Sequence, residues 1–293
     1  MNLNHNEKLM YIIKQLHGLL ETDDISQQRK SQDRLGNIYA ANKNFSFSEL
    51  FVNNIHCEWT SYIHDSSDSS LILYCHGGGY MTGSSLYARG ITTKLAQYSK
   101  LPVLTFDYRL APEHPYPAAL EDALKVWNHL ISSGYHAKDI IISGDSAGGN
   151  LALALTLYLK EHEQSLPKYL LLFSPWTNLC QEEQSYTDKS IVDPILTREY
   201  LYKASSAYIA NEHATSPYIS PINADLHDFP PVYIQVGENE ILLNDSIKLH
   251  EKLLACNVSS HIKIFPHMWH VFQLSPFKTA KDAIKTLFAS LDL

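Results

Sequence analysis

From about residue 70 the chain repeats one pattern, a short apolar run alternating with helical stretches. The runs are Leu71–Cys75, Val103–Phe106, Ile140–Ser143, Leu170–Phe173, Val232–Val236 and Ile262–Phe265. Between or after them lie Thr92–Ser99, Ala118–Ser132, Asn150–His162, Asp245–Cys256 and Thr279–Ser290, with apolar residues at helical spacing. Continuous apolar runs this short mark strands covered on both faces, and their alternation with helices requires a mostly parallel central sheet flanked by helices. The fold class is therefore α/β. Upstream, Phe45–Leu50 and the alternating segment Phe51–Ile63 read as antiparallel strands. Leu9, Ile12, Ile13, Leu16, Leu19 and Leu20 form one stripe of an amphipathic helix, and the stretch Thr22–Asp33 is polar and assigned to no element.

One interval breaks the alternation. Residues 177–225 hold no run of strand quality but carry helical pieces such as Arg198–Ala210. An insertion between two core strands is the natural reading, and such insertions sit over the functional edge of a sheet. The division is then 46–176 and 226–293 for the core, 177–225 for the insertion, and 1–45 for an N-terminal part placed with it.

Composition narrows the class of partner. The 293 residues carry 23 Lys and Arg against 31 Asp and Glu, a formal charge of −8, with no basic block. That argues against nucleic acid or anionic membrane as the main partner. Fifteen histidines suggest metal, but Cys57, Cys75, Cys180 and Cys256 are scattered, with no C-x-x-C pair and no H-E-x-x-H. No metal or organic cofactor is expected. Isolated thiols, a polar start and no apolar run beyond Leu151–Leu159 predict a soluble cytoplasmic protein without a membrane span.

The most specific motif is Gly144-Asp145-Ser146-Ala147-Gly148, which fits G-x-S-x-G between a predicted strand and a predicted helix. A turn that tight needs small flanking residues and lifts the Ser146 hydroxyl clear of the backbone as a nucleophile. His76-Gly77-Gly78-Gly79 follows the first apolar run directly. Its uncovered N–H groups suit a developing oxyanion, each donor contributing roughly 3–4 kcal/mol in acyl transfer. The N–H groups of Gly77, Gly78 and Ala147 are the candidates, with His76 bracing the loop. A phosphate-cradling loop would need G-K-[ST], which is absent.

A serine nucleophile needs a base, and the base an orienting carboxylate; in an α/β architecture of this kind the chain order is Ser, acid, His. After Val232–Val236 comes Gly237-Glu238-Asn239-Glu240, and after Ile262–Phe265 comes Pro266-His267-Met268-Trp269-His270. Glu240 and His270 are the candidates, with Asp245 and Glu238 as rival acids and His267 as rival base. Asp245 also suits a helix cap, and Asp193-Pro194 a helix start.

These motifs, with Asp107-Tyr108-Arg109-Leu110-Ala111-Pro112-Glu113 and Ser174-Pro175-Trp176, resemble the hormone-sensitive-lipase family of α/β-hydrolases. The matched motifs run from about residue 70 to 272. The resemblance implies an α/β-hydrolase fold with a helical cap, and a serine carboxylesterase acting on small short-chain acyl esters. It implies a Ser146, Glu240 and His270 triad, although the family more often has aspartate at the acid position. It also allows a homodimer through the last sheet strand. Arg109 paired to a carboxylate, with several prolines, is expected to fix the loop behind the oxyanion site. Tyr80, Trp176 and Trp269, beside the motifs, are candidate pocket residues. A deacetylase or amidase on the same triad stays open, as does a non-catalytic receptor, which His270 disfavours.

Overall fold

The computed structural model describes residues 8–14, 24–37, 39, 42–64 and 70–291. Eight strands form one sheet: β1 (Phe45–Val52), β2 (Ile55–Tyr62), β3 (Leu71–Cys75), β4 (Val103–Phe106), β5 (Ile140–Asp145), β6 (Tyr169–Phe173), β7 (Val232–Gly237) and β8 (Ser260–Phe265). Their spatial order is β1-β2-β4-β3-β5-β6-β7-β8. β1 pairs antiparallel with β2, and β2 with β4; every other pairing is parallel. The parallel part matches the apolar runs, and β3, β4 and β5 are buried throughout.

The helices are α1 (Ile25–Gly36), α2 (Ser85–Ser99), α3 (Ala118–Ser132), α4 (Ala147–Glu161), the short α5 (Ser185–Asp188), α6 (Arg198–Ile209), α7 (Leu243–Ala255) and α8 (Lys278–Phe288). Strand side chains alternate between two apolar layers. Leu71, Leu73, Ile140, Ile142, Leu170 and Leu172 pack with α3, α4 and α7, through residues such as Trp127, Leu151 and Leu249. Ile72, Tyr74, Ile141, Leu171 and Phe173 pack with α2 and α8, through Ile91, Leu95 and Ile284. Both faces are thus covered, which is why these strands are apolar on every residue rather than every second one.

The N-terminal part holds one match and one departure. The predicted N-terminal helix is present at 8–14, while 15–20 lie outside the described residues. The polar stretch Thr22–Asp33 contains most of α1, which docks through polar atoms instead of an apolar stripe. Arg29 donates to the carbonyls of Met81 and Ala111 and to the carboxylate of Glu113. Gln32 Oε1 accepts from the Gly83 N–H, and Ser84 Oγ donates to Asp33. Between β6 and β7 the chain leaves the sheet, carrying α5 and α6. No helix among the described residues is long and apolar enough to cross a membrane.

Candidate active site

β5 ends at Asp145 and α4 begins at Ala147, so Ser146 makes the turn between them. Its backbone lies at φ 54° and ψ −121°, where L-residues are strained unless their surroundings hold them. The Ser146 N–H donates to the Phe173 carbonyl at 2.9 Å, and its own carbonyl accepts from the Trp176 N–H at 3.0 Å. The glycines are needed by contact. A Cβ on Gly148 would sit 2.0 Å from the Cys75 carbonyl oxygen, and one on Gly144 2.3 Å from that of Gly148.

Glu240 and His270 lie on the loops that follow β7 and β8, and both are buried. His270 Nδ1 stands 3.4 Å from Glu240 Oε1, a long contact for such a pair. The other carboxylate oxygen, Oε2, accepts from Ser174 Oγ at 2.8 Å and from the Gly237 N–H at 3.0 Å. These two donors seat the longer glutamate side chain, turning one oxygen back to the strand end and leaving the other for the imidazole. Burial alone pushes the His270 pKa down, but the Glu240 contact and the charges of Glu240, Asp193 and Asp145 more than offset it, and the pKa is raised.

Ser174, quoted from sequence only as part of a motif, is the hub of this arrangement. Its hydroxyl donates to Glu240 and accepts from the Val271 N–H at 3.2 Å, next to His270. Two residues on, the Trp176 N–H holds Ser146. The segment Ser174-Pro175-Trp176 therefore ties all three candidate triad positions together.

The glycine loop corrects one assignment. The Gly77 N–H is occupied, donating to Asp145 Oδ1 at 2.8 Å, and that oxygen also accepts from Tyr74 Oη at 2.6 Å. Gly77 is thus a tether between the loop and the elbow, not an oxyanion donor. Among the described residues nothing accepts from the N–H groups of Gly78, Gly79 or Ala147. Gly78 and Gly79 have φ of 114° and 63°, so the chain bends away just after Gly77. His76 braces the loop as expected: it is fully buried, stacks on Tyr108 at 4.2 Å and places Nδ1 2.8 Å from the Gly77 carbonyl oxygen. Burial lowers its pKa, which keeps the ring neutral.

The three aromatic pocket candidates are packed away. Tyr80 is fully buried, donates to Asn150 Oδ1 at 2.7 Å and stacks on Tyr208 at 3.6 Å. Trp176 is fully buried and donates to Tyr186 Oη at 2.9 Å. Trp269 is also buried and packs edge-on against Phe277. All three candidates are thus closed off from the surface. A residue of the insertion that does reach the loop is Tyr200, whose hydroxyl donates to the Gly78 carbonyl at 3.3 Å.

The rival residues take other roles. His267 and Glu238 meet each other on the surface, the His267 N–H donating to Glu238 at 2.9 Å. Asp245 does not cap α7; it lies in the first turn, and its Oδ1 accepts from the N–H groups of Thr177 and Asn178, both at 2.9 Å. Its burial pushes the carboxyl up to about 7. Asp193 does not start α6 either, since Thr197 caps that helix. Arg109 pairs with Asp122 and Glu121, as the structural reading of its motif expected. Among the described residues one group could hold a metal ion: Asp225, His227 and Cys256, with ligand atoms within 4.8 Å of one another. It includes no candidate triad member, and Asp225 is already paired with Lys160 and His227.

Residues 72–274 match the family described as the alpha/beta hydrolase fold. The chain belongs to this family. The hydrolase resembles an esterase of Acinetobacter venetianus, 40% identical over 234 residues, which are 78% of this chain and 77% of that protein. An acetyl-hydrolase of Streptomyces hygroscopicus is 33% identical over 219 residues, 74% of this chain and 73% of its own. A crystal structure of an esterase from the bacterial hormone-sensitive lipase family superposes with a TM-score of 0.93 at 28% identity, covering 99% of this chain and 98% of that one. The hydrolase is a member of that bacterial family, and its class is carboxylic ester hydrolase.

Proposed function

We propose that this chain is a carboxylesterase of short-chain acyl esters acting through Ser146, His270 and Glu240. His270 takes the proton from the Ser146 hydroxyl as its oxygen attacks the ester carbonyl carbon. The negative oxygen of the tetrahedral intermediate is held by the N–H groups of Gly78, Gly79 and Ala147. The intermediate collapses, His270 passes the proton to the leaving alcohol, and an acyl-enzyme remains. Water then attacks that ester with His270 as base, releasing the carboxylic acid and restoring Ser146. Glu240 holds the ring orientation and favours the imidazolium that forms twice in each turnover.

The observation that carries this reading is the hub Ser174–Trp176, which binds the loops of all three residues to one strand end. The open N–H groups of Gly78, Gly79 and Ala147 supply the matching electrophilic side. The resemblance to an acetyl-hydrolase supports a small acyl group. Insertion residues 177–225, with the described N-terminal helices, serve as the cap over the core formed by 46–176 and 226–293.

Ser146→Ala tests the reading with p-nitrophenyl acetate. Triad members act as a unit, so kcat is expected to fall by a factor on the order of 10⁶. Turnover within tenfold of the unaltered protein would remove Ser146 from the mechanism.

A further inference from the structure

Asp193 comes from the insertion, yet it is buried beside the acid and base loops. Among the described residues, the hydrogen bonds of its carboxylate all come from backbone N–H groups. Oδ1 accepts from the N–H groups of Ile195 at 2.8 Å and Leu196 at 3.0 Å, an Asx-type turn that fixes the side chain. Oδ2 reaches across to the Ile241 N–H at 2.8 Å. Ile241 directly follows Glu240, and its carbonyl is held too, by the Ser185 hydroxyl from α5. The insertion thus grips both backbone groups of the residue after the triad acid. Ser185 also accepts from the Asn244 N–H at 3.3 Å, which extends the grip to the start of α7.

The charge matters as well as the hydrogen bonds. Burial raises the Asp193 carboxyl to about 6, while the charge of His270 and the N–H groups of Leu196, Ile195 and Ile241 oppose that rise, so above that pH Asp193 carries a negative charge that acts on His270. The charged groups acting on His270 are Glu240 on its own side of the sheet edge, Asp145 at the end of β5, and Asp193 from the insertion. The N-terminal helix carries Lys8 and Lys14, both exposed, and Lys14 donates to the Ile191 carbonyl. The other pair on these loops, His267 and Glu238, is at the surface.

We propose that Asp193 is a positioning residue for the acid–histidine pair: from the insertion it fixes the Glu240 loop at Ile241 and holds a second buried negative charge beside His270. The hold of the insertion on the acid loop and the proton affinity of the base thus share one side chain.

Two variants of the full chain separate the grip from the charge. Asp193→Asn keeps the shape and one acceptor oxygen but loses the charge, and it presents an N–H₂ group where the Ile241 N–H needs an acceptor. With p-nitrophenyl acetate, kcat is expected to fall about tenfold with KM within about twofold, since no substrate contact is removed. The acid limb of kcat/KM is expected to move down by about one pH unit, because His270 loses a favourable charge. Ser185→Ala removes the other half of the grip and no charge; its kcat is expected to fall severalfold with the acid limb unmoved. An unmoved acid limb in Asp193→Asn overturns the electrostatic half, and an unchanged kcat in Ser185→Ala overturns the grip. If Asp193→Asn fails to fold, Asp193→Ser, which also loses the charge, supplies the pH profile, and Ser185→Ala tests the grip. The inference rests on the Ser146–His270–Glu240 reading, whose failure shows separately as turnover surviving Ser146→Ala.

Discussion

Removing the Ser174 hydroxyl tests how the triad is assembled. Ser174→Ala deletes a 2.8 Å bond to a buried carboxylate oxygen and strands the Val271 N–H, which donates to that hydroxyl. A hydrogen bond to a charged group contributes about 1.5–3 kcal/mol, and a buried donor left unpaired costs about 1–3 kcal/mol. The two losses share one atom, so their sum is an upper bound, and about 2–3 kcal/mol of stability is the expected loss. At roughly 2–4 °C per kcal/mol for a chain of this size class, Tm should drop by about 4–12 °C. Activity should fall independently of stability. Glu240 would keep only the Gly237 N–H on Oε2, and the loop carrying His270 would lose its tie to the acid. A tenfold fall in kcat, about 1.4 kcal/mol, is expected at a temperature well below Tm, with KM unchanged. The assay is p-nitrophenyl acetate hydrolysis beside thermal unfolding, and the double variant with Glu240→Gln supplies the coupling energy. A Tm drop with unaltered kcat would show that Ser174 packs the sheet end without positioning the pair, and the hub argument would fail.

Arg29→Ala removes the bonds from α1 to the carbonyls of Met81, just past the glycine loop, and of Ala111 in the Asp107–Glu113 segment. The expected cost is about 2 kcal/mol and a severalfold fall in kcat, whereas Glu113→Gln, whose carboxylate is half exposed, should cost under about 1 kcal/mol. Equal thermal shifts in the two variants would contradict that ranking. Stability should also decline as pH rises from about 4 to 7, measured by calorimetry. Burial raises the pKa of Asp145, of Asp193 to about 6 and of Asp245 to about 7, so the folded state binds more protons than the unfolded state across that window. His270, also raised, stabilises below its unfolded value and loses that contribution as pH passes its folded value. His76, held neutral by burial, works in the opposite direction. A Tm that climbs steadily through this range would show that the buried carboxyls do not dominate.

The inner parallel strands were legible because burial on both faces leaves them almost wholly apolar, with Thr105, Ser143 and Gln235 as buried exceptions. The elbow was legible because sterics allow few residues beside Ser146: the Gly148 contact with the Cys75 carbonyl is a constraint that any such turn imposes. α1 was not, because Arg29, Gln32 and Asp33 dock by hydrogen bonds and leave no apolar period. Ser174 and Asp193 were hidden for another reason. Each acquires its role where three or more chain segments meet, and nothing in its local sequence records the meeting. Gly77 was misassigned because the triglycine loop does not show which N–H turns inward. Its partner, Asp145, occupies a position that the serine motif leaves open to any residue.

The central claim is that Ser146 is the nucleophile. Treating the unaltered protein with a fluorophosphonate probe and mapping the labelled peptide tests it directly. With Ser146 as nucleophile, stoichiometric labelling of Ser146, complete loss of hydrolysis on labelling, and no labelling of Ser146→Ala are expected. Modification at any other residue, or hydrolysis that persists in the fully labelled protein, would contradict it.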